Sequence, residues 1–102
     1  MPTYIALLNF TDEGIRTIRD TIQRANGAAE LAQKQYGASL QTYWTAGPYD
    51  VVYILEAPDE ESATAFLLDV GSRGVVRTTT LRAYDREQMS GIIEKLGPAP
   101  GA

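Results

Sequence analysis

The sequence contains no cysteine and no histidine. Without cysteine there is no disulfide framework, no thiolate nucleophile and no thiolate metal ligand. Without histidine there is no imidazole to act as a general base, a metal ligand or a haem ligand. The acidic run Asp59-Glu60-Glu61 lies where a helix begins, so it is interpreted as a helix cap and not as a metal cluster. We therefore predict no metal site and no cofactor.

Long hydrophobic runs are also missing. The longest apolar stretches, residues 4–8 and 51–55, are about five residues long, far short of the roughly 20 that a membrane-spanning helix needs. Residues 1–4 lead directly into strand-like sequence, without the basic and then apolar regions of a secretory signal. We therefore expect a cytoplasmic protein that has no membrane partner.

Positive charge is scarce. The 102 residues include 9 basic and 13 acidic side chains spread along the chain, for a net charge of −4. A protein of this charge repels a phosphate backbone at long range, which argues against nucleic acid as a partner. The hydrophobic share of 44% and the charged share of 22% are typical of an ordinary globular domain. We predict one domain over residues 1–97, followed by a flexible tail at 98–102, where proline and glycine follow the last helix.

The chain does contain alternating strand-like and helix-like segments. Helix caps are expected at Thr11-Asp12, at Asp59 and at Asp85, where Gln88 completes a capping-box pattern. Asn26-Gly27 interrupts the first helical pattern, so we expect a kink or a junction of two helices there. The predicted order is strand 3–10, a helix that ends at Gly37, strands 39–46 and 50–57, a helix from Asp59, strand 75–84 and a helix from Asp85.

This order is β-α-β-β-α-β plus a terminal helix, which is the ferredoxin-like α+β arrangement with an antiparallel sheet and its two principal helices on one face. By analogy with that fold, the first and third strands are central. Both strands are apolar on both faces, so the face without helices would expose a larger apolar patch than soluble monomers usually carry. We therefore expect a homodimer or higher oligomer that forms through the open sheet face.

The residues Gly47-Pro48-Tyr49-Asp50, which we call the GPYD turn, separate the second and third predicted strands. Gly47 can adopt positive φ and Pro48 favours the second position of a turn. The Asp50 carboxylate either accepts the turn's own backbone N–H groups, which we favour, or binds a ligand's ammonium group or acts as a base. Tyr49 either lines a pocket or covers the tip of the hairpin.

The sequence around this turn resembles the GYD family, small stand-alone proteins named for a Gly-x-Tyr-Asp turn. The resemblance implies a ferredoxin-like, dimeric α+β fold of the dimeric α+β barrel type, in a family of unknown function. More remotely, the turn and the strand after Gly74 resemble the effector-binding domains of leucine-responsive bacterial regulators, in which the equivalent turn helps bind amino acids between subunits. The segments that resemble the GYD family are residues 4–15, 43–52, 56–59 and 76–83, which together run over nearly the whole chain.

Two further groups of side chains are candidates for binding. Arg82 and Asn9 form either an anion site for a ligand's carboxylate or ordinary surface and interface contacts. Arg77 has the opposite strand parity to Arg82, so the two face opposite sides of the sheet. Aromatic residues that bury area and keep a polar group suit a subunit interface better than substrate stacking. The predicted interface residues are Tyr4, Tyr43, Trp44 and Tyr53.

Three functions follow from these features. The favoured one is a homo-oligomeric domain that binds a small metabolite or a partner protein near a subunit boundary, with Gly47, Tyr49, Asp50, Asn9 and Arg82 as ligand-binding residues. The first alternative is a cofactor-independent enzyme of the dimeric α+β barrel type that uses Asp50 or a tyrosine. The second alternative is a structural assembly subunit without a ligand.

Overall fold

Four antiparallel strands form one sheet in the order β2-β3-β1-β4, so the first and third strands are central as expected. A computed structural model describes residues 1–101 of the chain. It confirms the ferredoxin-like α+β fold, with the strand ends within two residues of those expected. The elements are β1 (Thr3–Phe10), α1 (Asp12–Arg16), a single 3-10 turn (Ile18–Asp20), α2 (Thr21–Tyr36), β2 (Ser39–Trp44), β3 (Val51–Glu56), α3 (Glu60–Ser72), β4 (Val76–Ala83) and α4 (Arg86–Glu94).

The helix caps form where the sequence predicts them. The Asp59 side chain accepts a hydrogen bond from the Ser62 N–H at 2.7 Å. Asp85 and Gln88 form a reciprocal capping box at the start of α4. Gly37 ends α2 with φ of +63°, a left-handed conformation that glycine adopts without strain. Local hydrogen bonding thus sets the starts of α3 and α4 and the end of α2.

The interruption of the first helical region does not lie at Asn26-Gly27, so that expectation is wrong. Helix α2 continues through both residues, because its packing on the sheet outweighs the roughly 1 kcal/mol that a helical glycine costs. The helix breaks instead at Thr17, ten residues before Gly27. There the Arg24 side chain donates hydrogen bonds to the backbone carbonyls of Thr17 (3.1 Å) and Gly14 (3.3 Å). These bonds replace the intrahelical hydrogen bonds that carbonyls at the end of a helix lack.

The core lies between the sheet and the helices α2 and α3. Alternate residues of β1 and β3 are buried and face these helices, as the period of two in a strand requires. The largest side chains that are fully buried are Phe66, Leu8 and Leu55. Gly14 is buried where α1 meets β4, and a Cβ at Gly14 would overlap the carbonyl oxygen of Val75.

Helix α4 stands apart from this core. None of its residues is buried, and the described chain extends over 58 × 31 × 18 Å. The predicted tail ends at Ala102, which lies outside the described residues. Within residues 1–101, every helix is too short or too polar to cross a membrane.

Candidate functional site

The GPYD turn closes the hairpin between β2 and β3. The backbone N–H of Thr45 donates to the Asp50 carbonyl at 2.9 Å, and the Thr45 hydroxyl donates to the Tyr49 carbonyl at 2.5 Å. Gly47 has φ of +141°, which side chains with a Cβ rarely adopt. The glycine is therefore required by the conformation of the turn.

The Asp50 carboxylate is bound to a neighbouring strand and not to its own turn, so the predicted partner is wrong. One carboxylate oxygen accepts a hydrogen bond from the backbone N–H of Phe10 at 2.9 Å. The Asp50 N–H in turn donates to the Leu8 carbonyl at 2.9 Å. Because β1 extends beyond the first residue of β3, the Phe10 N–H has no β3 carbonyl opposite it, and the carboxylate takes that place.

Asn9 and Arg82 do not come together. Asn9 lies opposite Arg77 in the register of β1 and β4, whereas Arg82 lies opposite Tyr4. Asn9 lies five positions after Tyr4 in the same strand, an odd offset, so the two side chains point to opposite faces of the sheet. The Arg82 guanidinium lies over the rings of Tyr4 (5.4 Å) and Tyr84 (4.7 Å) and donates to the Thr3 carbonyl at 3.1 Å.

The four predicted interface aromatics divide into two pairs. Tyr4 and Tyr53 are 7% and 6% exposed and belong to the core of the subunit. Tyr43 and Trp44 are 56% and 42% exposed, and they lie on opposite faces of β2. A role in subunit contact therefore stays a prediction for Tyr43 and Trp44, which have surface to offer a partner.

The sheet face that carries no helix is apolar at its centre, and we call it the open face. Its rows are set by the register, in which Ile5 lies between Ile54 and Leu81, and Leu7 lies beside Val52. Leu81 is 47% exposed, whereas the residues on the two central strands are half-buried. The apolar residues of the open face are Ile5, Leu7, Tyr43, Val52, Ile54 and Leu81. Polar residues share the face, among them Gln41 opposite Ile54 and Thr79 opposite Leu7.

A cavity of about 270 Å³ opens between α2 and the helix-covered face of the sheet, and we call it the α2–sheet cavity. Apolar side chains such as Leu31, Val51 and Val70 form most of its wall. The Trp44 indole N–H donates to the Thr21 hydroxyl at 3.0 Å, which connects the end of β2 to the first turn of α2. The polar side chains in the lining are Thr21, Arg24, Thr42, Trp44, Tyr53 and Arg73.

Tyr53 is the most deeply buried of these polar residues. Its ring packs beside Phe66, with the ring centres 6.2 Å apart. Burial raises the pKa of the Tyr53 hydroxyl above its usual value of 10.0, so the phenol stays neutral near pH 7. Its hydroxyl therefore retains a proton to donate and lone pairs to accept with.

The two arginines of the cavity differ in their charge partners. Arg73 forms an ion pair with Asp69 at 3.1 Å. The Arg24 guanidinium donates hydrogen bonds to the Gly14 and Thr17 carbonyls and, at 2.7 Å, to the Thr17 hydroxyl. Within residues 1–101 no carboxylate lies within ion-pairing distance of Arg24. Among the described residues, Arg24 is therefore a cation that hydrogen-bonds to neutral oxygens and forms no ion pair.

The cavity was not predicted from the sequence. None of the five predicted ligand-binding residues belongs to its lining in the described chain, and Tyr53 was assigned to an interface. A signal was present in the small residues Ala25, Gly27 and Ala28, which leave space between α2 and the aromatic strands. The described residues contain no group of three or more carboxylate, histidine or cysteine side chains able to hold a metal ion.

Comparison with protein families and with known proteins gives two sequence matches. The sequence model of the GYD domain family matches residues 4–93. A Thermus thermophilus protein named the glutamine synthetase and cystathionine beta-lyase binding protein is 34% identical over 84 residues. That match covers 81% of this chain and 88% of the Thermus protein.

Three solved structures share the fold. MtbAldR matches 97% of this chain with a TM-score of 0.60 at 19% identity, and this chain spans 58% of the length of MtbAldR. TTHA0845 from Thermus thermophilus matches 84% of this chain and all of its own with a TM-score of 0.52 at 27% identity. The protein YJCS matches 84% of this chain with a TM-score of 0.55 at 14% identity.

Proposed function

Because the chain belongs to the GYD domain family, we propose that it is a homo-oligomeric regulatory domain that binds an enzyme of amino-acid metabolism. Two copies join through the open face, and the enzyme binds near their boundary at the GPYD turn. The observation that carries the proposal is the open face, whose apolar centre takes at least one side chain from each of the four strands and is covered by no helix of the described chain.

Self-association is supported by two apolar surfaces in one chain. The open face is one. The other is the side of α4 on which Met89, Ile92, Ile93 and Leu96 recur at helical spacing, with Leu96 in the turn that follows the helix. A two-fold dimer repeats every contact, so a second copy shields the open faces and α4 helices of both subunits together. This removal of apolar surface from water drives the association.

An enzyme partner is supported by the Thermus relative, whose name states that it binds glutamine synthetase and cystathionine beta-lyase. We propose that this chain binds the same two kinds of enzyme. The turn is suited to the contact because Pro48 is exposed, Tyr49 is half-exposed and the turn projects beyond the ends of β2 and β3. A tyrosine at a rigid turn provides contact area at low entropic cost.

The assembly is tested by sedimentation velocity of the wild type and two leucine variants across a dilution series. Leu81→Lys places a charge on the open face and should raise the dimer dissociation constant at least hundredfold, about 2.7 kcal/mol. Leu68→Lys, at a 69% exposed leucine on α3, is the matched control and should leave the constant unchanged. A wild type that sediments as a folded monomer at micromolar concentration would overturn the proposal.

Enzyme binding is tested by surface plasmon resonance, with glutamine synthetase and cystathionine beta-lyase taken from the organism to which this chain belongs. Tyr49→Ser should weaken binding at least tenfold. Tyr84→Ser, at the opposite end of the sheet, should change it less than twofold. If the dimeric wild type binds neither enzyme, or if the two variants lose affinity equally, the assigned partner or contact is wrong.

A further inference from the structure

We propose that the α2–sheet cavity binds a small apolar carboxylate. The carboxylate lies at Arg24, the apolar body fills the space between α2 and the sheet, and the Tyr53 hydroxyl hydrogen-bonds to the ligand. This site lies on the helix-covered side of one subunit, and its lining contains no residue of the open face or of the GPYD turn. It is therefore additional to the proposed function and does not depend on it.

The size and the wall of the cavity define the body of the ligand. Its volume of about 270 Å³ lies just below the range of about 300–1,000 Å³ that is usual for ligand pockets. The wall is formed by aliphatic and small side chains from α2, α3 and the strands, among them Ala25, Leu31, Val70 and Val76. Such a wall favours a short hydrocarbon group over a sugar or a nucleotide.

The Tyr53 hydroxyl supplies a polar group that the protein leaves unpaired. Only 6% of the Tyr53 surface is exposed. Its hydroxyl forms no hydrogen bond with the described residues. No side-chain oxygen or nitrogen in this part of the chain is both fully enclosed and unpaired, so the hydroxyl retains some accessible surface, and Tyr53 is one of the residues that line the cavity. A buried tyrosine normally finds a hydrogen-bond partner, and a ligand inside the cavity would provide one.

Arg24 determines the charge of the ligand. Arg24 lines the cavity and forms no ion pair in the part of the chain described, although Asp20 lies one helical turn earlier. Arg73, the second cation of the lining, is already paired with Asp69. A guanidinium has five N–H groups, and Arg24 uses three of them, so two remain for an anion. A carboxylate accepts two such bonds in a fork geometry.

The test uses hexanoate and its neutral analogue hexanamide as probes. Trp44 is the single tryptophan of the chain and lines the cavity, so its fluorescence reports directly on occupancy. Hexanoate should give a saturable change in Trp44 emission, and hexanamide should bind at least fivefold more weakly. Isotope-labelled protein should show shifted amide resonances at α2 and around Tyr53, and unshifted ones in α4, which contributes no residue to the lining.

Substitutions in the cavity lining test which side chains contact the bound probe. Arg24→Gln should weaken hexanoate at least tenfold and hexanamide less than twofold, and Tyr53→Phe should weaken both. Ala25→Leu fills part of the cavity and should weaken both at least tenfold, whereas Ala65→Leu, at an exposed alanine of α3 outside the lining, is the control.

Three outcomes would overturn the proposal: no saturable change with hexanoate, equal affinity for the acid and the amide, or hexanoate affinity unaffected by Ala25→Leu. The comparison of acid with amide uses the wild type, so it stands even if Arg24→Gln fails to fold. Failure here leaves the sedimentation and enzyme-binding tests untouched, and the reverse also holds.

Discussion

The carboxylate of Asp50 accepts a hydrogen bond from the backbone N–H of Phe10 at 2.9 Å, across forty positions of sequence. The contact joins the start of β3 to the end of β1 and holds the GPYD turn against the central strands. An aspartate at the end of a turn therefore acts as a cross-strand acceptor. Its role is to position the turn on which the proposed enzyme contact depends.

Replacing this carboxylate should destabilise the protein. Asp50→Ala removes a charged acceptor and leaves the Phe10 N–H without a protein partner, which should lower the free energy of unfolding by about 1.5–3 kcal/mol. Asp50→Asn keeps an oxygen acceptor and should recover much of that loss. Urea denaturation measures both. Equal stability of Asp50→Ala and the wild type would show that the bond contributes nothing.

Replacing either of two glycines with alanine should change the stability of the protein, but in opposite directions. Gly27 lies within continuous α2, where an added Cβ meets nothing within 4 Å, so Gly27→Ala should raise the free energy of unfolding by about 0.5–1 kcal/mol. Gly14→Ala should lower it by about 1–3 kcal/mol or more, because the Cβ overlaps the Val75 carbonyl. Thermal unfolding checks both. A lower melting temperature for Gly27→Ala would contradict the prediction that α2 accepts an alanine there without a clash.

The hydrogen bond from the Tyr36 hydroxyl to Asp69 should make stability depend on pH at both extremes. This bond, and then Arg73, holds the pKa of Asp69 below its ordinary value of 3.8. The stabilisation that ionised Asp69 provides is fully present above pH 3.8. It is lost as the pH falls through the lower pKa that Asp69 has in the folded protein. The same bond, and then burial, raises the pKa of Tyr36 above 10.0, so its stabilisation is present below pH 10 and lost above it.

Tyr36→Phe should therefore lower stability most between about pH 5 and 9, with a smaller difference from the wild type outside that window. Denaturant unfolding over a pH series measures the difference. Tyr84→Phe is the control, because its hydroxyl forms no hydrogen bond with the described residues, and its difference should not vary in this way. A difference for Tyr36→Phe that is constant from about pH 3 to pH 11 would contradict the assignment.

Helix α4 should contribute to self-association through its apolar side. Ile93 is 51% exposed in the subunit, so burying the exposed half of its side chain is worth about half of the roughly 1.5–3 kcal/mol of a full isoleucine, once for each of the two copies in a dimer. Ile93→Ser should thus raise the dimer dissociation constant at least tenfold. Glu94→Ser, on the polar side of α4, should leave it within twofold. Sedimentation velocity measures both constants, and an unchanged constant for Ile93→Ser would exclude the apolar side of α4 from the interface.

Local patterns predicted most of the fold. The alternating residues of β1 and β3 and the caps at Asp59 and Asp85 depend on neighbours within a few positions, so the sequence shows them directly. The interruption near Gly27 was misplaced because the weak helix propensity of one glycine was outweighed by packing, while the break at Thr17 depends on Arg24, seven residues away.

The sequence by itself determined the order of the strands and helices, the residues that share each strand face and the apolar character of both faces of the central strands. Only the tertiary structure decided which face the helices cover. That choice placed Tyr53 in the core beside a cavity, left Tyr43 on the open face and brought Asp50 to Phe10. The physical reason is that periodicity records which side chains point the same way, whereas their partners come from segments tens of residues apart.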